Sequence, residues 1–258
     1  YCPGGTTPQA PCSSGTWDDD QDPATPCVSL IVTSGLVVHL DASNPQSYAG
    51  SGTIWNDLSG NGNHATLNGN AANPTWNSSG YWTFSATGLG LNGGMLVNNS
   101  TTLAAVGSSA TVELIFTLQT KTLIGGDADW MAIFSRGQSS QNPAISINQL
   151  SSGNRYLHIE RPSAFNSTNN LFTDYTGTRW YHVTAVFSAT SKGYLNNVEV
   201  STAGGGITSN TNPIFLGYDG DNENFRGRLA VVRMYNRALS LSEIAQNYNA
   251  TKSKYGLP

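Results

Sequence analysis

Charge is what this 258-residue chain has least of. Only 11% of its residues are Asp, Glu, Lys or Arg, against roughly 25% in an average soluble domain. Twelve basic and sixteen acidic residues give a formal net charge of −4, so a nucleic-acid partner has no electrostatic footprint here. No apolar run is long enough to cross a bilayer as a helix, and membrane insertion is not expected. Internal repeats and heptads are absent as well. Cysteine is confined to Cys2, Cys12 and Cys27, with no further His or Cys nearby at metal-ligand spacing. A disulfide is the better reading, with Cys12–Cys27 the preferred pair, closing a Gly/Pro/Asp loop that has little apolar content of its own. Cys2 is then left for a partner outside the chain. The sequence begins at Tyr1 with neither Met nor signal peptide, as expected of a processed protein or a segment of one.

In place of charge the chain carries Asn, Ser, Thr and 28 glycines, a composition that suits an extracellular β protein. Residues 1–30 read as a disulfide-bearing arm or linker, and 31–258 as one domain. In the arm, Asp18, Asp20 and Asp22 alternate, either as oxygen ligands for Ca²⁺ or as a solvated acidic turn. From Leu30 onward short strands dominate. Val112, Leu114, Phe116 and Leu118 alternate along Ala110–Leu118, as do Tyr181, Val183, Ala185 and Phe187. Asn196-Asn197 predicts a tight hairpin turn. About a dozen such strands predict an all-β, two-sheet antiparallel sandwich. One helix closes the chain: Ser240 and Glu243 form a capping box, Leu241, Ile244, Ala245 and Tyr248 follow at helical spacing, and Gly256 and Pro258 end it.

Three stretches resemble a known family. Arg233–Ile244 (RMYNRALSLSEI), Gly35–Leu67 with its Trp-Asn-Asp-Leu-Ser-Gly-Asn-Gly-Asn loop, and the RWYHVTAVF and GYLNNVEV pair within Arg179–Val200 are similar to laminin-G-like, concanavalin A-like jelly-roll modules of bacterial and viral surface proteins. The resemblance covers about residues 34–250 and implies the jelly-roll fold. Cys12–Cys27 also resembles short cysteine-rich repeats of surface proteins.

Function is harder to read, because this fold hosts lectins, adhesins, glycosidases and spacers alike. Gly88–Gly93 matches G-x-G-x-x-G but leads into a strand, not a helix, and reads as a turn. A retaining glucanase needs two carboxylates about 5 Å apart, commonly alternating along one strand. None of the five glutamates, Glu113, Glu160, Glu199, Glu223 and Glu243, has a carboxylate two or four positions away on a strand. The expectation is therefore no catalytic residues and no enzyme: an extracellular, cell-surface or virion-surface adhesion module binding a glycan or a protein surface. The alternatives are a structural subunit of a filament or capsid decoration, joined to neighbouring subunits through residues 1–30, and, less favoured, a glycoside hydrolase. Tyr48, Trp55, Trp76, Trp82 and Trp130 are the candidate sugar platforms. Asp219, Asp221 and Glu223 are the candidate ligands of a structural Ca²⁺, against an ordinary Asx-turn. Asp57, Asn61 and Asn63 form a second oxygen-rich loop, and Asp127 with Asp129 a third. The four histidines read as core or edge residues. Five N-x-S/T sequons carry little weight in so Asn-rich a chain.

Overall fold

The structure, a computed structural model, describes residues 16–17, 28–69, 73–85, 93–119, 128–137, 143–150, 155–161, 164–169, 171–172, 174–219 and 223–258. Its strands, in chain order, are β1 (Thr16–Trp17), β2 (Val28–Ser29), β3 (Leu36–Asp41), β4 (Ile54–Trp55), β5 (Ala65–Leu67), β6 (Thr75–Asn77), β7 (Tyr81–Phe84) and β8 (Met95–Val97). After the short helix α1 (Thr101–Ala104) come β9 (Ala110–Gln119), β10 (Ala128–Arg136), β11 (Ala144–Leu150), β12 (Arg155–Arg161), β13 (Ala164–Asn169) and β14 (Thr176–Phe187). The last are β15 (Thr190–Leu195), β16 (Val198–Gly204), β17 (Ile214–Leu216) and β18 (Gly227–Tyr235), followed by helix α2 (Leu241–Tyr255).

Two antiparallel sheets pack face to face, as the strand pattern predicts. The first has the order β13-β12-β11-β10-β17-β8-β5-β4. The second runs β16-β15-β14-β9-β18-β7-β6, with β3 also paired to β18. Val112, Leu114, Phe116 and Leu118 of β9 face Met131, Ile133, Ile145, Ile147, Leu157 and Ile159 of the other sheet in one core. Period-2 alternation does this, since every second side chain of each strand must face the same way. The Asn196-Asn197 turn has φ of 48° and 66°, the two positive values that a two-residue type I′ hairpin requires.

The second sheet is buried on its outer face too. Helix α2 lies there, started by the reciprocal Ser240–Glu243 capping box and ended at Gly256 in the left-handed region. Ile115, Ala230 and Val231 pack against Tyr248, Tyr255 and Leu257, which is why β9 is buried along nearly its whole length. The first sheet carries no helix on its outer face among the described residues. Strands β1 and β2 form a separate two-stranded sheet.

Candidate functional site

The outer face of the first sheet gathers the chemistry. Along β10, β11 and β12 the residues between the core positions point the other way, and cross-strand register lines them up in rows. One row runs Trp130, Asn148, Tyr156. The next runs Ala132, Ser146, His158 and is extended by Asn224, which bridges to Ala132. The Trp130 ring lies 4.4 Å from the His158 ring, with Tyr156 6.2 Å from it on the adjoining row. Ser146 Oγ donates to Glu160 Oε1 and draws that carboxylate into the second row. Trp130 and Tyr156 keep part of their surface exposed, whereas Asn148, Ser146, His158 and Glu160 are buried. Burial holds His158 neutral, its pKa lowered to about 4. The face thus sets two partly exposed aromatic surfaces beside a buried amide, hydroxyl, neutral imidazole and carboxylate, the group types that recognise hydroxyl-rich rings.

The sequence reading found only one of these residues, Trp130. Ser146 and Asn148 alternate with Ile145 and Ile147, and Tyr156, His158 and Glu160 with Leu157 and Ile159, so a polar face was present in the pattern. Which rows they form is a matter of register between strands.

The other four aromatic candidates cluster elsewhere. Tyr48, Trp76, Trp82 and Trp55 make one chain of ring contacts, at 5.4 Å (Tyr48–Trp76), 4.6 Å (Tyr48–Trp82) and 6.0 Å (Trp55–Trp82). Trp55 and Trp82 are 0% and 1% exposed and belong to the core, which corrects their reading as sugar platforms. Each sits at an inward-facing strand position, where so large an apolar surface stabilises most when removed from water. Tyr48 is buried beneath the half-buried Trp76.

The oxygen-rich loops divide in the same way. Asp57 Oδ1 accepts from the backbone N–H groups of His39 and Ser59, and Oδ2 from Asn63 N–H and Ser59 Oγ. Asn61 and Asn63 donate to the carbonyls of Leu36 and Val37. The Asp-Leu-Ser-Gly-Asn-Gly-Asn loop is therefore an Asx-turn clamp on β3, its acceptors already occupied. Asp219 is fully buried, and its Oδ1 accepts from Glu223 N–H at 3.3 Å. Asp221, Asp127, Cys2, Cys12, Cys27, the arm aspartates and the glycine-rich turn up to residue 92 lie outside the described residues. Among the described residues no three His, Cys, Asp or Glu side chains converge as a metal site would require.

A second polar cluster lies under helix α2. Glu113, on β9, has Arg233 beside it on β18, Nη1 to Oε2 at 3.5 Å. Asn247 of the helix donates to Glu113 Oε2 at 2.8 Å and to the Tyr235 hydroxyl at 2.9 Å, and accepts from Val32 N–H at 2.7 Å. His182 stands 3.9 Å from Glu113. Burial raises the Glu113 carboxyl, with Arg233 and Asn247 pulling the other way, and lowers His182 to about 3. These side chains are at most 2% exposed, so the cluster is a sealed clamp between helix and sheet.

Comparison with known proteins extends this picture. A family model described as the concanavalin A-like lectin/glucanases superfamily matches residues 89–245. No curated protein sequence matches the chain. Among solved structures it is similar to Trypanosoma rangeli sialidase in complex with the inhibitor DANA, at 17% identity and a TM-score of 0.60, over 88% of this chain and 34% of that one. The same sialidase as a covalent intermediate with 2,3-difluorosialic acid matches at 17% identity and a TM-score of 0.62, over 94% and 37%. The binding domain of botulinum neurotoxin DC in complex with SialylT matches at 14% and 0.58, over 84% and 52%. The chain thus spans about a third of the sialidase and half of the toxin domain. Identities this low show the fold alone.

That fold is nevertheless shared with enzymes. The expectations of a non-catalytic adhesion module, and of no enzyme, are corrected by these sialidase matches. The exclusion had rested on carboxylates alternating along a single strand. Here Glu160 reaches a polar face assembled from several strands, a geometry that the linear test does not see. With the family model covering more than half of its length and the sandwich built as that family requires, the chain belongs to the concanavalin A-like lectin/glucanases superfamily.

Proposed function

We propose that this chain is the glycan-engaging sandwich of a carbohydrate-processing protein, with the outer face of β10–β12 as its site and sialylated glycans as the first class to test. The observation that carries the reading is Trp130 set 4.4 Å from His158, next to Tyr156, Asn148 and the Ser146–Glu160 pair. An aromatic ring covers the apolar side of a sugar, while amide, hydroxyl and carboxylate take its hydroxyl groups. Glu160 also gives the face a carboxyl group of the kind that acid–base chemistry at a glycosidic oxygen uses. The sialic-acid and SialylT complexes of the similar structures support this choice of probe.

Titration with 3′-sialyllactose, followed by calorimetry and by turnover of a fluorogenic sialoside, tests the proposal. Binding lost in Trp130→Ala supports it, and turnover lost in Glu160→Gln would assign the chemistry to this face. Sialoside binding that ignores Trp130, or no binding across a panel of sialylated glycans, overturns it. The proposal includes an extracellular setting, supported by the low-charge, Asn/Ser/Thr-rich composition. It includes a structural Ca²⁺ held by Asp219, Asp221 and Glu223, next to Asn224, which bridges to Ala132 of the site. Ca²⁺ should then raise the melting temperature, and Asp221→Asn should remove that rise.

A further inference from the structure

A pocket on the other sheet carries a separate recognition chemistry. It has a volume of about 290 Å³ and lies between the turn after β3 and the β6–β7 hairpin, lined by Ser43, Pro45, Tyr48, Trp76, Ser79 and Gly80 among others. That volume falls just below the roughly 300–1,000 Å³ of small-molecule sites, room for one ring and not for a chain of them.

Its floor is rigid. Trp76 Nε1 donates to the Ala42 carbonyl at 3.0 Å, which fixes the indole's rotation. Tyr48 packs against it at 5.4 Å and is itself tied down, its hydroxyl donating to Gly52 O at 2.9 Å. Gly50, at φ +91°, lies along the six-membered ring, and any side chain there would press onto Trp76. Gly80, at φ +83°, sits so close to Ser43 that a side chain would collide with it. An aromatic surface held this way loses almost no freedom when a ligand covers it. The rim is hydroxyl-bearing and exposed at Ser78 and Ser79, with Ser43 half-buried opposite.

Charge selects the kind of ring. The cation beside the pocket is Lys254, and it is already engaged: its ammonium donates to Ser43 Oγ and stands 3.4 Å from Asp41 Oδ2. Asp41 in turn accepts from Ser43 N–H at 2.9 Å and from Ser43 Oγ at 2.5 Å. A carboxylate-bearing sugar would have to displace that pair or face Asp41, whereas a neutral ring needs only the indole face and the exposed Ser78 and Ser79 hydroxyls.

We infer that this pocket is a neutral-monosaccharide site, taking one hexopyranose through its apolar face on Trp76, distinct from the β10–β12 face. The inference rests on the reading of the chain as glycan-engaging, and the test separates the two. Methyl β-galactoside, methyl α-glucoside and 3′-sialyllactose are titrated into the whole chain while the indole N–H resonances of Trp76 and Trp130 are followed by NMR. The expected result is a saturable shift of the Trp76 resonance with a neutral glycoside, persisting in Trp130→Ala. The affinity for that glycoside, measured by calorimetry in the variants that lack the Trp76 indole, should weaken about tenfold or more in Trp76→Ala. Binding should disappear in Ser79→Arg, which fills the pocket from an exposed position without touching the core. Trp76→Phe, which keeps a ring, should retain most of the affinity. Neutral glycosides that leave Trp76 unmoved, or whose binding vanishes with Trp130 alone, overturn this inference while leaving the β10–β12 reading intact. Binding that survives Ser79→Arg unchanged overturns it equally.

Discussion

The sandwich has two polar outer faces, and they differ in what lies over them among the described residues. On the second sheet Glu113, His182 and Arg233 are covered by helix α2 and completed by Asn247. On the first, Trp130 and Tyr156 stay partly open beside Asn148, His158 and Glu160. Both faces place buried histidines near carboxylates, and a search for perturbed titratable groups would pick out either. The helix-covered face shows why such a search is not sufficient. Its strongest polar contacts are spent on joining β9, β18, the Val32 segment and α2, and each acceptor they use is one a ligand would need.

The largest effect of a single substitution should come from breaking that join. Asn247→Leu removes a donor to Glu113 and to Tyr235 and the acceptor for Val32 N–H, leaving a buried carboxyl poorly compensated. The expected loss is about 3–5 kcal/mol in denaturant unfolding. Trp130→Ala, by contrast, should leave unfolding almost unaltered while removing ligand binding. If the two variants exchanged these outcomes, the assignment of one face to stability and the other to recognition would be reversed.

Acid comes next. His182, His158 and His39 are held neutral by burial at about 3, 4 and 4, against 6.5 for the free side chain. A group whose folded pKa is depressed makes the unfolded chain bind more protons as pH falls. Stability should therefore drop between pH 6.5 and about 4, by about 1.4 kcal/mol per pH unit for each histidine. Glu113 works in the opposite sense. Its carboxyl is raised by burial, so its contribution is present at low pH and lost as pH rises through the folded value. His182→Gln should make the acid limb of a stability–pH profile shallower, and Glu113→Gln should make it steeper. Identical slopes in all three proteins would show that the covered cluster does not titrate.

The smallest effect is at the end of the helix. Ser240→Ala deletes half of the capping box and should cost about 1 kcal/mol. Hydrogen exchange should then rise across α2 and at Val32 while β10–β12 stays protected. Faster exchange on both sheets would mean that the two faces are less independent than their geometry suggests.

What the sequence determined by itself is whatever is written in neighbouring residues. Period-2 alternation in Ala110–Leu118 and Tyr181–Phe187 specified strands with one core face. Asn196-Asn197 specified the hairpin turn, and Ser240, Glu243 and Gly256 the ends of the helix. Each of these is a local backbone preference or a contact within four residues, so no knowledge of the partner strand is needed. Tertiary structure alone decided the rest. It put Trp55 and Trp82 inside and left Trp130 at the surface, although all three are tryptophans at strand positions. It turned Asp57 from a candidate ion ligand into a clamp on β3, and made Asn247 the link between a helix and the Val32 segment 215 residues away. It also aligned Trp130, Asn148 and Tyr156 across three strands. A row of that kind runs perpendicular to the chain, and its register is set by how the sheet pairs and what the core excludes from water, which no linear spacing records.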